Sequence, residues 1–311
     1  MELQDFPAEI IHKIFRNLSF RERVPLQLVS KSIRQAVIDA PCSLKNVQLF
    51  EICRADGESA RHRKIKLSVD EIRLTFYKSK NGKSTVVLND SEEKLFIEES
   101  DYLDVAMEFL RKNIFKKNVT CETFDTDCLI TESSLESLSK LNTRRIRFFD
   151  TCYCLSSDQK IKTPGIWLKH LNPKYLKSMT MYNSDSFCNL NGFEGMLHHV
   201  ETIHIIRRND VNDDILDSLT ALDIELDSGE ITVNGINRLI QKWVNQKVPC
   251  GSRFVYYDDD NTKFPMEKLI ENIPSSVKIS NEMVNFAISS DSLLRVYLTD
   301  SSVEVECMKK K

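Results

Sequence analysis

The 311-residue sequence is poor in the residues that break or loosen a chain, with only 8 Gly and 8 Pro. That excludes collagen-like and linker-rich architectures. It has no apolar run near the roughly 18 residues that a membrane-spanning helix requires. It has no excess of either charge, with 43 Lys and Arg against 46 Asp and Glu. Nothing global therefore draws it to nucleic acid, and no acidic tail keeps a segment extended. The N-terminal segment lacks a basic region and carries Glu2, Asp5 and Glu9, so no signal peptide is expected. The reading that follows is an intracellular protein, cytoplasmic or nuclear. Nine Cys, an odd number, fit free thiols in a reducing compartment.

Motifs that carry chemistry are also missing. There is no Gly-rich phosphate loop and no G-x-S-x-G turn. His198, His199 and His204 make a poor metal set, because adjacent residues of a strand point to opposite faces. Cys152-Tyr153-Cys154 has no second pair at zinc-site spacing. Asp258-Asp259-Asp260-Asn261 is similar to the start of a calcium loop, but the sixth position is Lys263 and the twelfth Leu269, where Gly and Glu are required. The basic stretches at Arg61 to Lys66 and Lys309 to Lys311 are short and lack interleaved aromatics, so they read as solvated faces. No catalytic, cofactor or metal site is expected, and no nucleic acid or membrane as partner.

What is present starts at the N-terminus. Phe6, Ile10, Ile11, Ile14, Phe15 and Leu18 recur at spacings of three and four, one apolar stripe on a helix. Pro7 suits the first turn, and Asp5 is placed to cap it. Ser19 and Glu22 have the spacing of a capping box, which starts a second helix. Pro25 is expected to interrupt that helix and begin the next segment. Leu26, Leu28, Val29, Ile33, Ala36 and Val37 supply further apolar positions before Pro41. Short helices of about 40 residues in all bury little by themselves, so the unit must pack on the rest of the chain or on a partner.

The stretch from Phe6 to Arg34 resembles the F-box. Phe6-Pro7-Ala8-Glu9 matches that family's Leu-Pro-x-Glu start, and Ile10, Ile14, Phe15 and Leu18 match its helix-one spacing. Leu28-Val29-Ser30-Lys31 and Ile33-Arg34 match its closing segment. Phe6 and Ile33 replace the usual Leu and Trp, and Arg23 and Pro25 depart from the pattern. The resemblance implies docking on the Skp adaptor of a cullin-based ubiquitin ligase. The residues it assigns to that contact are Phe6, Pro7, Glu9, Ile10, Ile14, Leu18, Leu26, Val29 and Ser30.

Beyond Ser43 short β-rich runs recur, at Ile72, Thr85, Arg144, Leu176, Val200, Ala221 and Ser252. Helical patterns lie between several of them, as in "YLDVAMEFLRKNIF" and "ITVNGINRLIQKWVNQ". Alternation argues for an α/β layered arrangement. From Arg144 the strand starts repeat at roughly 20 to 30 residues, which suits a leucine-rich-repeat-like solenoid without its Leu/Asn signature. The last five runs are expected side by side, in sequence order and parallel.

The segment from Asp213 to Tyr257 is similar to the F-box-associated type 2 domain of nematode F-box proteins, through Thr232, Asn237, Lys242 and Trp243. A second nematode family, pairing the F-box with a homology domain, stands as its alternative. Either resemblance implies substrate capture. The expected fold class is α/β: a three-helix F-box over 1–45, then a degenerate leucine-rich-repeat-like strand–helix array over 46–311. The function implied is the substrate-recognition subunit of a Skp–cullin–F-box ubiquitin ligase, non-catalytic, binding an unidentified protein substrate. Arg145, Arg147, Tyr182, His204, Arg207 and Tyr256 are the outward strand residues expected to line the substrate face. An α/β repeat scaffold with a helical cap is the competing reading.

Overall fold

A computed structural model describes residues 7–54, 62–79, 84–89, 93–98, 100–127, 138–149, 164–182, 190, 192–206, 209–227, 230–257, 264–274 and 276–310. The chain divides into two compact units, Met1–Leu176 and Lys177–Lys311. They do not coincide with the expected division at 45/46.

The first unit opens with α1 (Ala8–Arg16), α2 (Phe20–Leu26) and α3 (Lys31–Asp39). Ser19 caps α2 as a full capping box, exchanging bonds with Glu22 at 3.3 and 2.7 Å. Those bonds hold the Glu22 carboxyl below the usual carboxylate range. Ser30 caps α3 by accepting the Ile33 N–H. Pro7 is itself the N-cap of α1, two positions after the cap expected at Asp5. Pro25 lies inside α2 rather than ending a turn there, because the helix closes one residue later and loses little to the missing N–H.

Seven strands follow in the first unit: β1 (Cys42–Arg54), β2 (His62–Val69), β3 (Ile72–Lys78), β4 (Ser84–Asn89), β5 (Lys94–Glu98), β6 (Val119–Thr126) and β7 (Asn142–Phe148), with α4 (Tyr102–Asn113) between β5 and β6. Their order is β7-β6-β1-β2-β3-β4-β5. β1, β6 and β7 are parallel, while β1 to β5 form an antiparallel meander. Leu110, Ile65, Leu67, Phe124 and Ile146 are buried in its core. Trp167, wholly buried, lies 5.1 Å from the Phe124 ring and 6.2 Å from Phe115.

The second unit holds β8 (Ser178–Met181), α5 (Glu194–Leu197), β9 (Thr202–Ile205), α6 (Asp213–Ser218), β10 (Asp223–Asp227), α7 (Val233–Gln246), β11 (Arg253–Tyr257), α8 (Met266–Leu269), β12 (Ser276–Ser280), β13 (Met283–Ala287), β14 (Ser292–Leu298) and β15 (Ser302–Lys309). Its order is β12-β13-β14-β15-β11-β10-β9-β8. The strands expected at Leu176, Val200, Ala221 and Ser252 are β8 to β11, parallel and in sequence order. β12 to β15 are antiparallel to one another, and β15 is antiparallel to β11.

The leucine-rich-repeat-like array over 46–311 is therefore corrected. Among the described residues, strand–helix alternation runs from β8 to β11, and most of the remaining strands are antiparallel. Nine strands, β1 to β5 and β12 to β15, sit in antiparallel meanders, joined by connections too short for a crossover helix. A further segment with a helical pattern and a Thr at its start, "TESSLESLSKL", lies mostly outside the described residues.

Along β9 and β10 burial alternates, with Ile203, Ile205, Ile224 and Leu226 buried and their neighbours half-exposed. One sheet face is thus core and the other solvated, the period-two pattern of a half-covered sheet.

Candidate docking surfaces

The three N-terminal helices share a small core of Phe15, Val37 and Ala40, with Ile11, Leu18, Leu26, Ile33 and Ala36 packed against it. The apolar stripe read along α1 is therefore two stripes. Ile11, Phe15 and Leu18 turn inward. Ile10 and Ile14, four residues apart on one face, stay 43% and 41% exposed. In the turn between α2 and α3, Leu28 is 79% exposed and Val29 62%. Four large apolar side chains at the surface of so small a unit form a contact surface in want of cover.

Of the residues assigned to adaptor contact, Pro7, Glu9, Ile10, Ile14, Val29 and Ser30 are exposed. Leu18 and Leu26 are half-buried: each packs in part against the core of the three helices and keeps the rest of its side chain at the surface. Phe6 lies outside the described residues. Leu28 is the exposed residue that the assignment missed, although the matching Leu28-Val29-Ser30-Lys31 segment contained it.

Arg23 departs from the F-box pattern for a reason visible in its contacts. Its side chain is buried and donates to the carbonyls of Leu18 (3.2 Å), Ala40 (3.3 Å) and Pro41 (2.8 Å). Asn118 donates to Ile38 and Ala40 from the start of β6. The helices are thereby clasped to the strands that follow. The bonds to Ile38, Ala40 and Pro41 satisfy carbonyls at or just past the C-terminal end of α3, where no helical N–H reaches. A cleft of about 470 Å³ opens between α2 and β3, lined by Val24, Pro25, Ile72, Leu74 and Phe109 among others.

The residues expected to bind substrate divide between the units. In the first, Arg145 lies 3.4 Å from Glu122. Arg147 makes two 2.7 Å bonds to the buried Asp125 carboxylate, so that charge is already held within the chain. In the second, Tyr182 is 37% exposed, and His204 Nε2 lies 3.1 Å from Asp223 Oδ2 on the solvated face of β9 and β10. Tyr256 is corrected: it is buried on the opposite face, edge-to-face against Phe264 at 5.7 Å. The period of two along β11 puts Tyr257 outward instead, bonded to Glu225 at 2.9 Å. Arg207 lies outside the described residues, as do Cys152, Cys154 and Asp258 to Asn261.

His198 and His199 are not on a strand as expected; they sit in the turn after α5, where His198 Nδ1 is 2.9 Å from Ser218 O. Among the described residues no group of three His, Cys, Asp or Glu is placed to hold a metal, and no helix is long and apolar enough to cross a membrane.

The four residues behind the type 2 resemblance all serve α7. Thr232 caps it and bonds Asp213 through both its N–H and its hydroxyl. Asn237 donates to the carbonyls of Leu269 and Glu271. Lys242 donates to those of Asp217 and Leu219 at the end of α6, and Trp243 is buried.

Comparison with known proteins places an F-box domain at residues 3–44, the region spanned by α1 to α3 and the start of β1. The chain thus carries an F-box domain. F-box domains in general bind the Skp adaptor, and proteins that carry one are typically non-catalytic adaptors of Skp–cullin–F-box ubiquitin ligases. No curated protein and no solved structure matches the chain.

Proposed function

We propose that this chain is a substrate-recognition subunit of a Skp–cullin–F-box ubiquitin ligase. Its F-box, residues 1–45, docks on the Skp adaptor and through it on a cullin. Residues 46–311 form an F-box-associated region that captures a protein substrate for degradation. The observation that carries the reading is the exposure of Ile10, Ile14, Leu28 and Val29 on a unit that matches the F-box domain. Chemistry is left to the partner enzyme; the receptor contributes proximity, raising the effective concentration of substrate lysines. The Arg23 clasp favours this, because it ties the F-box to the strand that follows it.

The likeness around α7 extends the proposal to a type 2 F-box-associated domain of the nematode kind. The role of Thr232, Asn237, Lys242 and Trp243 in fixing that helix supports it. The scaffold reading has the same Arg23 clasp in its favour, since a cap must also be tied down, but it leaves the four exposed apolar residues without a purpose. For the substrate surface of the second unit the solvated face of β9 and β10 is offered, with His204 and Tyr182 retained; Arg145 is retained by itself on the first unit. Cross-linking mass spectrometry on the full chain in complex tests the division of labour. Adaptor cross-links should fall within 1–45 and substrate cross-links within 46–311; substrate cross-links confined to 1–45 would overturn it.

A further inference from the structure

Pro249, Cys250, Gly251 and Ser252 make a tight turn that leads into β11. The Ser252 N–H donates to Pro249 O at 3.1 Å, and Gly251, at φ +93°, supplies the left-handed third position that such a turn requires. The Gly251 N–H then donates to Cys307 O at 2.8 Å, while the Cys307 N–H donates to Ser252 O at 2.9 Å. Two consecutive residues therefore face one residue of β15, which is a β-bulge. The bulge tips the turn onto Cys307. The Cys307 thiol, buried, donates to Val248 O at 3.3 Å, so the turn wraps around it, and Cys250 directly precedes the Gly251 whose N–H is bonded to Cys307 O. Cys250 is exposed, whereas Cys42 and Cys121, the other described free thiols, are buried.

We infer that Cys250 and Cys307 are a redox modification site: a peroxide converts the pair to a disulfide that fastens the end of β15 to the turn before β11. The two residues divide the steps by accessibility. The exposed Cys250 thiolate attacks one oxygen of hydrogen peroxide, the O–O bond breaks, and Cys250 becomes a sulfenic acid, the leaving hydroxide taking up the proton that the thiol had released to give the first water. The Cys307 sulfur then attacks the Cys250 sulfur. The S–S bond forms, the S–O bond breaks, and the leaving hydroxide takes the Cys307 proton as a second water. Two thiols and one peroxide give one disulfide and two waters. Burial pushes the Cys307 thiol up to about 11, so it resolves the sulfenic acid rather than meeting peroxide first. Position gives the bridge a consequence. β15 is the strand through which the antiparallel β12 to β14 join the parallel β8 to β11. A bridge there closes the loop from 250 to 307 and tightens the joint.

The test exposes the full-length protein to stoichiometric hydrogen peroxide, blocks remaining thiols and maps the peptides. The expected result is a loss of about 2 Da with Cys250 and Cys307 joined, reversed by dithiothreitol. Cys307→Ser should stop at a sulfenic acid on Cys250 that dimedone traps, and Cys250→Ser should leave Cys307 unmodified at the same dose. Amide exchange in β14 and β15 should slow on oxidation of the wild type. A wild type that accumulates sulfenic or sulfinic acid on Cys250 without the bridge would overturn the proposal, as would a bridge between two copies of the chain. The wild-type mapping needs no substitution, so a folding defect in Cys307→Ser leaves the test intact.

Discussion

α1 and α7 are both amphipathic helices, yet they dispose of their apolar stripes differently. In α7 the stripe is buried in full: Ile236, Leu239, Ile240 and Trp243 are all core. In α1 half of it is core and half, Ile10 and Ile14, faces solvent. The helix of the sheet unit has enough neighbouring surface to cover it. The helix of the F-box has two short companions and cannot be covered by them. Periodicity alone does not separate these cases, since it reports that a helix has an apolar face and not who covers it.

The comparison can be broken at either end. Trp243→Ala should have the largest effect, about 3–5 kcal/mol of stability lost, read by urea unfolding; Ile14→Ala should cost under about 1 kcal/mol in the same assay, since its side chain is already partly in water. Next comes Arg23→Ala, which takes the Arg23 donor from the carbonyls of Leu18 and Pro41, while Asn118 still reaches that of Ala40. A loss of about 2–3 kcal/mol is expected, with faster amide exchange in α2 and α3 and none in α7.

Gly235→Ala sharpens the α7 side. A Cβ there would meet Asp213 Oδ1 at 2.1 Å, and the Asp213 carboxylate is held by two bonds to Thr232. Displacing it should cost about 1–3 kcal/mol despite the gain in helix propensity, as thermal unfolding would show.

Glu108→Gln on α4 is the smallest. Glu108 is paired with Arg111 and Lys112, and the Arg111 bonds above all hold its carboxyl at about 2. These side chains are well exposed, so screening limits the loss to about 0.5 kcal/mol or less. The sign is fixed: the folded carboxyl ionises more readily than the unfolded one at 4.5. Its contribution is present above that pH and lost as pH falls towards 2. Acid titration of the stability difference between wild type and Glu108→Gln checks it.

Local signals in the sequence translated well where one residue does one job. Ser19 with Glu22 as a capping box, and the strands at Ile72 and Thr85, appear as read. β1 escaped because its period of two slips. Cys42 and Leu44 are buried, then Val47 and Leu49, with the N–H groups of Lys45 and Asn46 both turned to Asp70 Oδ1 at the slip. β12 to β15 did carry a signal, as in Val303-Glu304-Val305-Glu306-Cys307, where the apolar residues are buried. They were missed because short antiparallel strands and Ser-rich turns do not follow the strand–helix spacing seen upstream. The inward turn of Tyr256, and the partial one of Leu18 and Leu26, was illegible for another reason. A residue's type allows both core and interface, and only its neighbours decide.

The central claim is that the apolar half-stripe of α1 is an adaptor interface, and calorimetric titration of the full chain with the Skp adaptor tests it most directly. The wild type should bind, and the Ile10→Asp and Ile14→Asp variants should each lose roughly a hundredfold or more, because an unpaired charge buried in an interface costs several kcal/mol. Circular dichroism of both variants should match the wild type, since neither side chain belongs to the core of Phe15, Val37 and Ala40. Unchanged affinity in folded Ile10→Asp and Ile14→Asp proteins would contradict the account.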